Sequence, residues 1–134
     1  MSRVFTVCLA ILLVLANPGM AVSDVVEQLR LHVPSDQREI WLSAERSTWQ
    51  PWLEAQSGFL GRDLYWDPDR EEALLLIRWA SREQWKAITD QDVESVQATF
   101  DAAVKTALHL ADDAPSPFPL VAEGELQRQP LTLP

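Results

Sequence analysis

The stretch from Ser57 to Trp85, SGFLGRDLYWDPDREEALLLIRWASREQW, constrains the fold more than any other part of the chain. Phe59 to Trp66 reads as a strand entered through glycines, and Ala73 to Trp79 reads as its neighbour. Between them, Asp67-Pro68-Asp69 is turn chemistry: proline fixes φ, and the aspartates bond nearby backbone amides. The run Leu74-Leu75-Leu76-Ile77 calls for a strand buried on both faces. Ser81-Arg82-Glu83-Gln84 then fits a capping box, in which serine and glutamine satisfy orphan amides at a helix start. Trp85 rides on that helix. A strand, turn, strand and capped helix in direct succession leave few architectures open.

The flanking sequence narrows them further. Val25 to Val33 alternates, with Leu29, Leu31 and Val33 on one face and Gln28, Arg30 and His32 on the other, the period of a half-buried strand. Pro34 stops it, and Ser35 and Asp36 offer N-cap oxygens for a helix from about Gln37. That helix carries Ile40, Trp41, Ala44, Thr48, Trp49, Trp52 and Leu53 at three- and four-residue steps. Pro51 lacks a donor for the preceding turn, so a kink or restart is expected there. Gly58 is expected to end the helix as a residue with positive φ. A second long helix begins near Thr89 or Asp90, with Val93, Val96, Phe100, Val104, Ala107 and Leu108 on one stripe. Phe118 to Gln127 reads as a last strand, with Pro119 near its start where a missing donor is tolerated.

The order βαββαβ predicts an α+β, ferredoxin-like domain: a four-stranded antiparallel sheet with helices on one face. Its limits are taken as 22–128, with a frayed tail over 129–134. Leu64, Leu74 and Leu76 are read as facing away from Leu75, Ile77 and Trp79, which would leave an apolar sheet face uncovered. A second copy of the chain packed face to face is the simplest cover.

Residues 1–21 read as a secretory signal peptide rather than as part of the domain. Arg3 supplies the positive start, Val4 to Ala16 the apolar run, and Gly19 and Ala21 the small residues before a cleavage site. The run is shorter than the roughly 20 residues a spanning helix needs. Export to a periplasm, a thylakoid lumen or the medium follows, with no stable membrane insertion once the signal is removed. Cys8 lies inside this segment, so the remainder contains no cysteine and must hold together without disulfides. Without Arg3, twenty acidic residues face ten basic ones. Such a surface repels phosphate backbones and anionic lipids, which argues against nucleic acid and membrane surfaces as partners.

Ser57-Gly58-Phe59-Leu60-Gly61, Leu76-Ile77-Arg78-Trp79-Ala80-Ser81 and Trp85 together resemble the antibiotic biosynthesis monooxygenase-like family of dimeric α/β barrels. The resemblance covers Val25 to Gln127. Through Arg-Trp-Ala-Ser-Arg-Glu-Gln-Trp-Lys and Phe118-Pro119-Leu120-Val121 it is closest to a branch found mainly in cyanobacteria. It implies a homodimer, a pocket containing Trp79, and one of several activities: cofactor-free monooxygenation, haem degradation, or none. The haem-degrading members also use an asparagine on the first strand and a histidine on the second helix. Here the strand offers Glu27 and Gln28, and the histidine position falls on Val104.

Six tryptophans in a short chain need an explanation. Trp49, Trp52, Trp79 and Trp85 would either wall a pocket for a flat organic molecule or fill the core between helix and sheet. His32, with Arg30 beside it, is either a base or ligand contact at the pocket mouth or a surface or interface residue. His109 complements a helix C-terminus. Two histidines so far apart make no metal site, and the acids from Asp67 to Glu72 do not have calcium-loop spacing. Arg62 and Arg78 are expected to face the dimer interior, meeting an acidic ligand or pairing with Glu123 and Glu125. No metal or cofactor is called for. The sequence thus points to a homodimeric small-molecule-binding or stress-related module. The alternative is a cofactor-independent monooxygenase acting on an aromatic or quinone-like molecule.

Overall fold

The computed structural model describes residues 25–132; the stretch read as a signal peptide lies outside them, as do the last two residues. Strands β1 (Val25–His32), β2 (Phe59–Asp67), β3 (Glu72–Trp79) and β4 (Leu120–Gln127) form one antiparallel sheet in the order β2-β3-β1-β4. The helical layer comprises α1 (Arg38–Ala44), α2 (Gln50–Glu54), α3 (Arg82–Lys86) and α4 (Asp90–Ala107). This is the ferredoxin-like arrangement that the element order predicts. Among the described residues no helix is long and apolar enough to cross a membrane.

Side chains alternate across a strand, so one parity of each strand meets the helices. From β1 these are Leu29 and Leu31, and from β3 they are Ala73, Leu75, Ile77 and Trp79. Val33, Trp41, Ala44, Phe100, Val104 and Phe118 complete one buried cluster, and Leu53 joins Ile77 and Trp79 in a second. Each fully buried aliphatic or aromatic side chain contributes roughly 1.5–3 kcal/mol. Val104, where the resemblance would put a histidine, is fully buried in the first cluster.

Strand β2 departs from the expected phase. Phe59 pairs with Trp79 but Gly61 pairs with Arg78, so Leu60 is an extra residue, a β-bulge. Gly61 has φ +136°, and a Cβ there would lie 2.6 Å from the Arg78 guanidinium. Beyond the bulge every side chain is switched. Leu64 therefore lies opposite Leu75 and packs on the core, not on the open face. Arg62 likewise turns to the helical layer instead of the open face. Arg78 does lie on the open face, where it bonds Asp63 at 2.7 Å. Neither arginine pairs with the last strand; Glu125 is bonded by Arg82 of α3 instead.

The first helix does not simply kink at Pro51. Residues Glu45–Trp49 form a π turn between α1 and α2, closed by the Gln50 amide on the Glu45 carbonyl. Proline at 51 cannot donate to the turn before it, and its ring crowds that turn. The π turn is held from the sheet by Arg62. Its guanidinium donates to the Glu45 carboxylate at 2.6 Å, to Gln50 Oε1 at 2.7 Å and to the Glu45 carbonyl at 3.5 Å. Both charged side chains are only 3% exposed. Burial pushes the Glu45 carboxyl upward, and the Arg62 charge and hydrogen bond oppose that. The indole N–H of Trp41 also acts on this carboxylate, although it is buried without a hydrogen bond of good geometry.

Helix α2 stops at Glu54, short of Gly58. Gly58 instead closes the turn into β2 at φ +86°, where a Cβ would lie 2.8 Å from the Gln84 Cβ. Gln84 bonds Ser57 through Nε2 and accepts from the Ser81 hydroxyl, while the Ser81 Oγ accepts from the Gln84 amide. The box is thus shared with the Ser57–Gly58 turn, which fixes α3 against the start of β2. At the far end of α4, His109 takes φ +58°, and the Leu110 amide bonds back to Lys105, a Schellman closure.

The buried pair generates a stability prediction. Arg62→Met leaves Glu45 buried without its partner and is expected to cost about 3–5 kcal/mol in denaturant unfolding. Adding Glu45→Gln to that variant should restore much of the loss. Equal, additive losses from the two substitutions would mean that the pair is not coupled.

Candidate functional site

Between the helical layer and the sheet lies a cleft of about 600 Å³. Its apolar floor is the helix-facing parity of the central strands: Leu29 and Leu31 of β1 with Leu75, Ile77 and Trp79 of β3. Trp49 and Trp52 form one wall from the π turn and α2, and Trp85 with Ile88 forms another. Phe100 and Phe118 line it from the far side, in edge-to-face contact with each other at 6.3 Å.

The aromatic walls are fixed by their own contacts. Trp49 and Trp52 meet edge to face at 5.5 Å, and Phe59 braces Trp79 at 5.9 Å. The Lys86 ammonium sits 3.9 Å from the centre of the Trp85 ring, within cation–π range. Trp79 is 1% exposed, so it serves the core and the cleft together. The other two tryptophans are not in the cleft. Trp41 is buried in the main cluster, and Trp66 donates to the Val33 carbonyl at 3.0 Å.

Of the residues singled out from sequence, the structure therefore brings together Trp49, Trp52, Trp79 and Trp85. It places Arg30 and His32 elsewhere. Both belong to the β1 parity that faces away from the helices, and neither lines the cleft. Arg30 bonds Glu72 across the strand pair at 3.3 Å. His32 lies opposite Glu72 at the strand end, where its amide bonds the Pro119 carbonyl. The strand alternation read from the sequence already separates these two from Leu29 and Leu31.

Sequence reasoning missed Glu27. It shares the parity of Leu29 and Leu31, so it projects to the apolar side of the sheet and lines the cleft. A carboxylate in phase with core residues was the available signal. The Trp79 indole N–H donates to Glu27 Oε1 at 3.2 Å. Burial raises its pKa above the ordinary glutamate value, and Glu123 of β4 adds to that. The Trp79 hydrogen bond and the Lys86 charge pull the other way, but less strongly. Two other acids of the lining, Glu45 and Asp101, have partners of their own. Glu45 is paired with Arg62, and Asp101 accepts from Gln97 and Ser116. No group of three or more His, Cys, Asp or Glu side chains with metal-site geometry occurs among the described residues.

A raised carboxyl pKa fixes the sign of a pH effect. The folded chain holds the Glu27 proton more tightly than the unfolded chain does. Stability from this group is present below the unfolded value, 4.5, and is lost as pH rises through the folded value. Wild type is therefore expected to lose stability relative to Glu27→Gln as pH rises from 4.5, until the folded carboxyl has ionised. Urea unfolding of both proteins from pH 4 to pH 8 checks this. A stability difference that stays constant with pH contradicts it.

No family model matches the chain, and no curated protein does. Solved structures do. One is a monooxygenase from the gene ActVA-Orf6 of Streptomyces coelicolor, in complex with nanaomycin D. It has a TM-score of 0.56 and 15% identity, over 84% of this chain and 93% of that one. Another is SnoaB, a cofactor-independent oxygenase from Streptomyces nogalater. Its TM-score is 0.50 at 15% identity, over 81% of this chain and 98% of that one. At these identities the likeness is one of fold: the chain has the α+β, ferredoxin-like fold of the antibiotic biosynthesis monooxygenases.

Proposed function

We propose that this protein binds a planar aromatic small molecule in the tryptophan-walled cleft and oxidises it with molecular oxygen, without a bound cofactor. The observation that carries the reading is the cleft itself. Four tryptophans, two of them locked edge to face, surround about 600 Å³ against an apolar sheet floor. That volume lies in the range of small-molecule sites, and flat rings stack well on such walls. The two oxygenases of the same fold support the oxidative half of the proposal.

The chemistry balances without a further reductant when the substrate is a phenol with a free para carbon. Oxygen delivers one atom to that carbon. The other leaves as water with two substrate hydrogens, and the product is the quinone. The substrate supplies all the electrons, and the cleft supplies orientation and exclusion of bulk water. A second reading, a binding or stress-related module without turnover, is favoured by the two acidic groups of the lining that are already satisfied, Glu45 and Asp101.

The protein is also proposed to act as a homodimer and to be exported through residues 1–21. Supporting the first is the sheet face turned from the helices. It presents Val26, Leu74 and Leu76 partly buried, with Leu126 and Tyr65 exposed at its edges. Strand β4 is exposed along its whole length. An apolar face of this kind is best covered by its own copy.

Two measurements check these statements. Hydroxynaphthalenes and quinones should quench the tryptophan fluorescence of the chain from residue 22, and an oxygen electrode should record uptake with the phenolic ligands. Quenching without uptake selects the binding module; an unquenched spectrum across the panel removes the cleft proposal. Light scattering should return twice the chain mass, with Leu76→Asp giving a monomer. A monomeric wild type contradicts the dimer.

A further inference from the structure

We propose that Glu27 is the group that meets the ligand's hydroxyl and takes its proton, so that the cleft selects aromatic molecules bearing an acidic O–H. The inference rests on the aromatic-cleft reading above and deepens it.

Glu27 stands on β1 in the floor of the cleft, among apolar side chains. One carboxylate oxygen is held by the Trp79 indole at 3.2 Å, which orients the group. The second has no protein donor among the described residues, while the other buried acid of the lining, Glu45, is held by Arg62. An oriented carboxylate with one open oxygen in an apolar cleft is a strong acceptor for a donor brought by a ligand. The step is a simple transfer. The ligand O–H bond breaks, an Oε2–H bond forms, and the negative charge passes from the carboxylate to the aromatic oxygen. Lys86, at the Trp85 wall, lies near enough to act electrostatically on Glu27 and would favour the anion formed beside it.

Burial also raises the Glu27 pKa, which brings a carboxyl closer to the range where it can exchange a proton with a phenol. The charged groups acting on it are Lys86 from α3 and Glu123 from β4. The Arg62–Glu45 pair, Asp90 and Asp101 complete the charges of the cleft lining.

The test uses 1-naphthol and its methyl ether, 1-methoxynaphthalene, titrated calorimetrically into wild type and Glu27→Gln at pH 7.5. Wild type should bind the naphthol tighter by about tenfold or more, as expected for a hydrogen bond to a charged group. Glu27→Gln should bring the two affinities together while leaving the ether's affinity within about twofold. The wild-type preference should shrink as pH falls through the Glu27 titration, and the variant should show no such change. Equal binding of both compounds by wild type overturns the role of Glu27 and leaves the aromatic cleft standing. A preference that survives in Glu27→Gln does the same. Binding of neither compound overturns both. The wild-type comparison needs no variant, so poor folding of Glu27→Gln cannot rescue the proposal.

Discussion

One guanidinium joins the two layers of this fold. Arg62 rises from β2 into the helical layer and holds the π turn by its carboxylate, its carbonyl and the following glutamine. Trp49 ends that turn and Trp52 follows it on α2. The position of this cleft wall therefore depends on a bond made from the opposite layer. Single π turns inside α-helices occur frequently at functional sites. Here the turn lies where proline removes a regular donor, and an arginine from the sheet holds the carboxylate and carbonyl of its first residue.

The arginine reaches that place through a backbone irregularity. Without the extra residue at Leu60, Arg62 would point to the open face and Glu45 would be buried alone. A buried unpaired carboxylate costs several kcal/mol, so the bulge and the ion pair require each other. Gly61 permits the bulge by taking a φ that other residues avoid. Three local departures, the bulge, the π turn and the buried pair, thus form one device that shapes the cleft.

That device also marks where the sequence could be read and where it could not. Periodicity placed the four strands and both long helical regions, because alternation and the three-to-four step report directly on which side chains are buried. It could not show that a single residue slips out of register at Leu60. An unbroken alternation therefore puts Leu64 and Arg62 on the wrong face. The tryptophans at 49, 52, 79 and 85 were legible as a group because each falls on a core-facing position. The chemistry of Arg30 and His32 suggests a pocket, but their parity on β1 turns them away from it. Glu27 was passed over for the converse reason: its charge concealed a core-facing parity that Leu29 and Leu31 make plain.

The cleft that results is mostly a shaped apolar surface with one oriented carboxylate on its floor, and the proposal is that an aromatic ring stacks within it. Nuclear magnetic resonance of the six indole N–H groups tests that most directly. On addition of 1-naphthol, the account predicts shifts for Trp49, Trp52, Trp79 and Trp85, largest for Trp79 because its N–H already bonds Glu27. Trp66, bonded to Val33 away from the cleft, should stay in place. Shifts confined to Trp66, or none at the four cleft tryptophans at saturating ligand, would contradict the account.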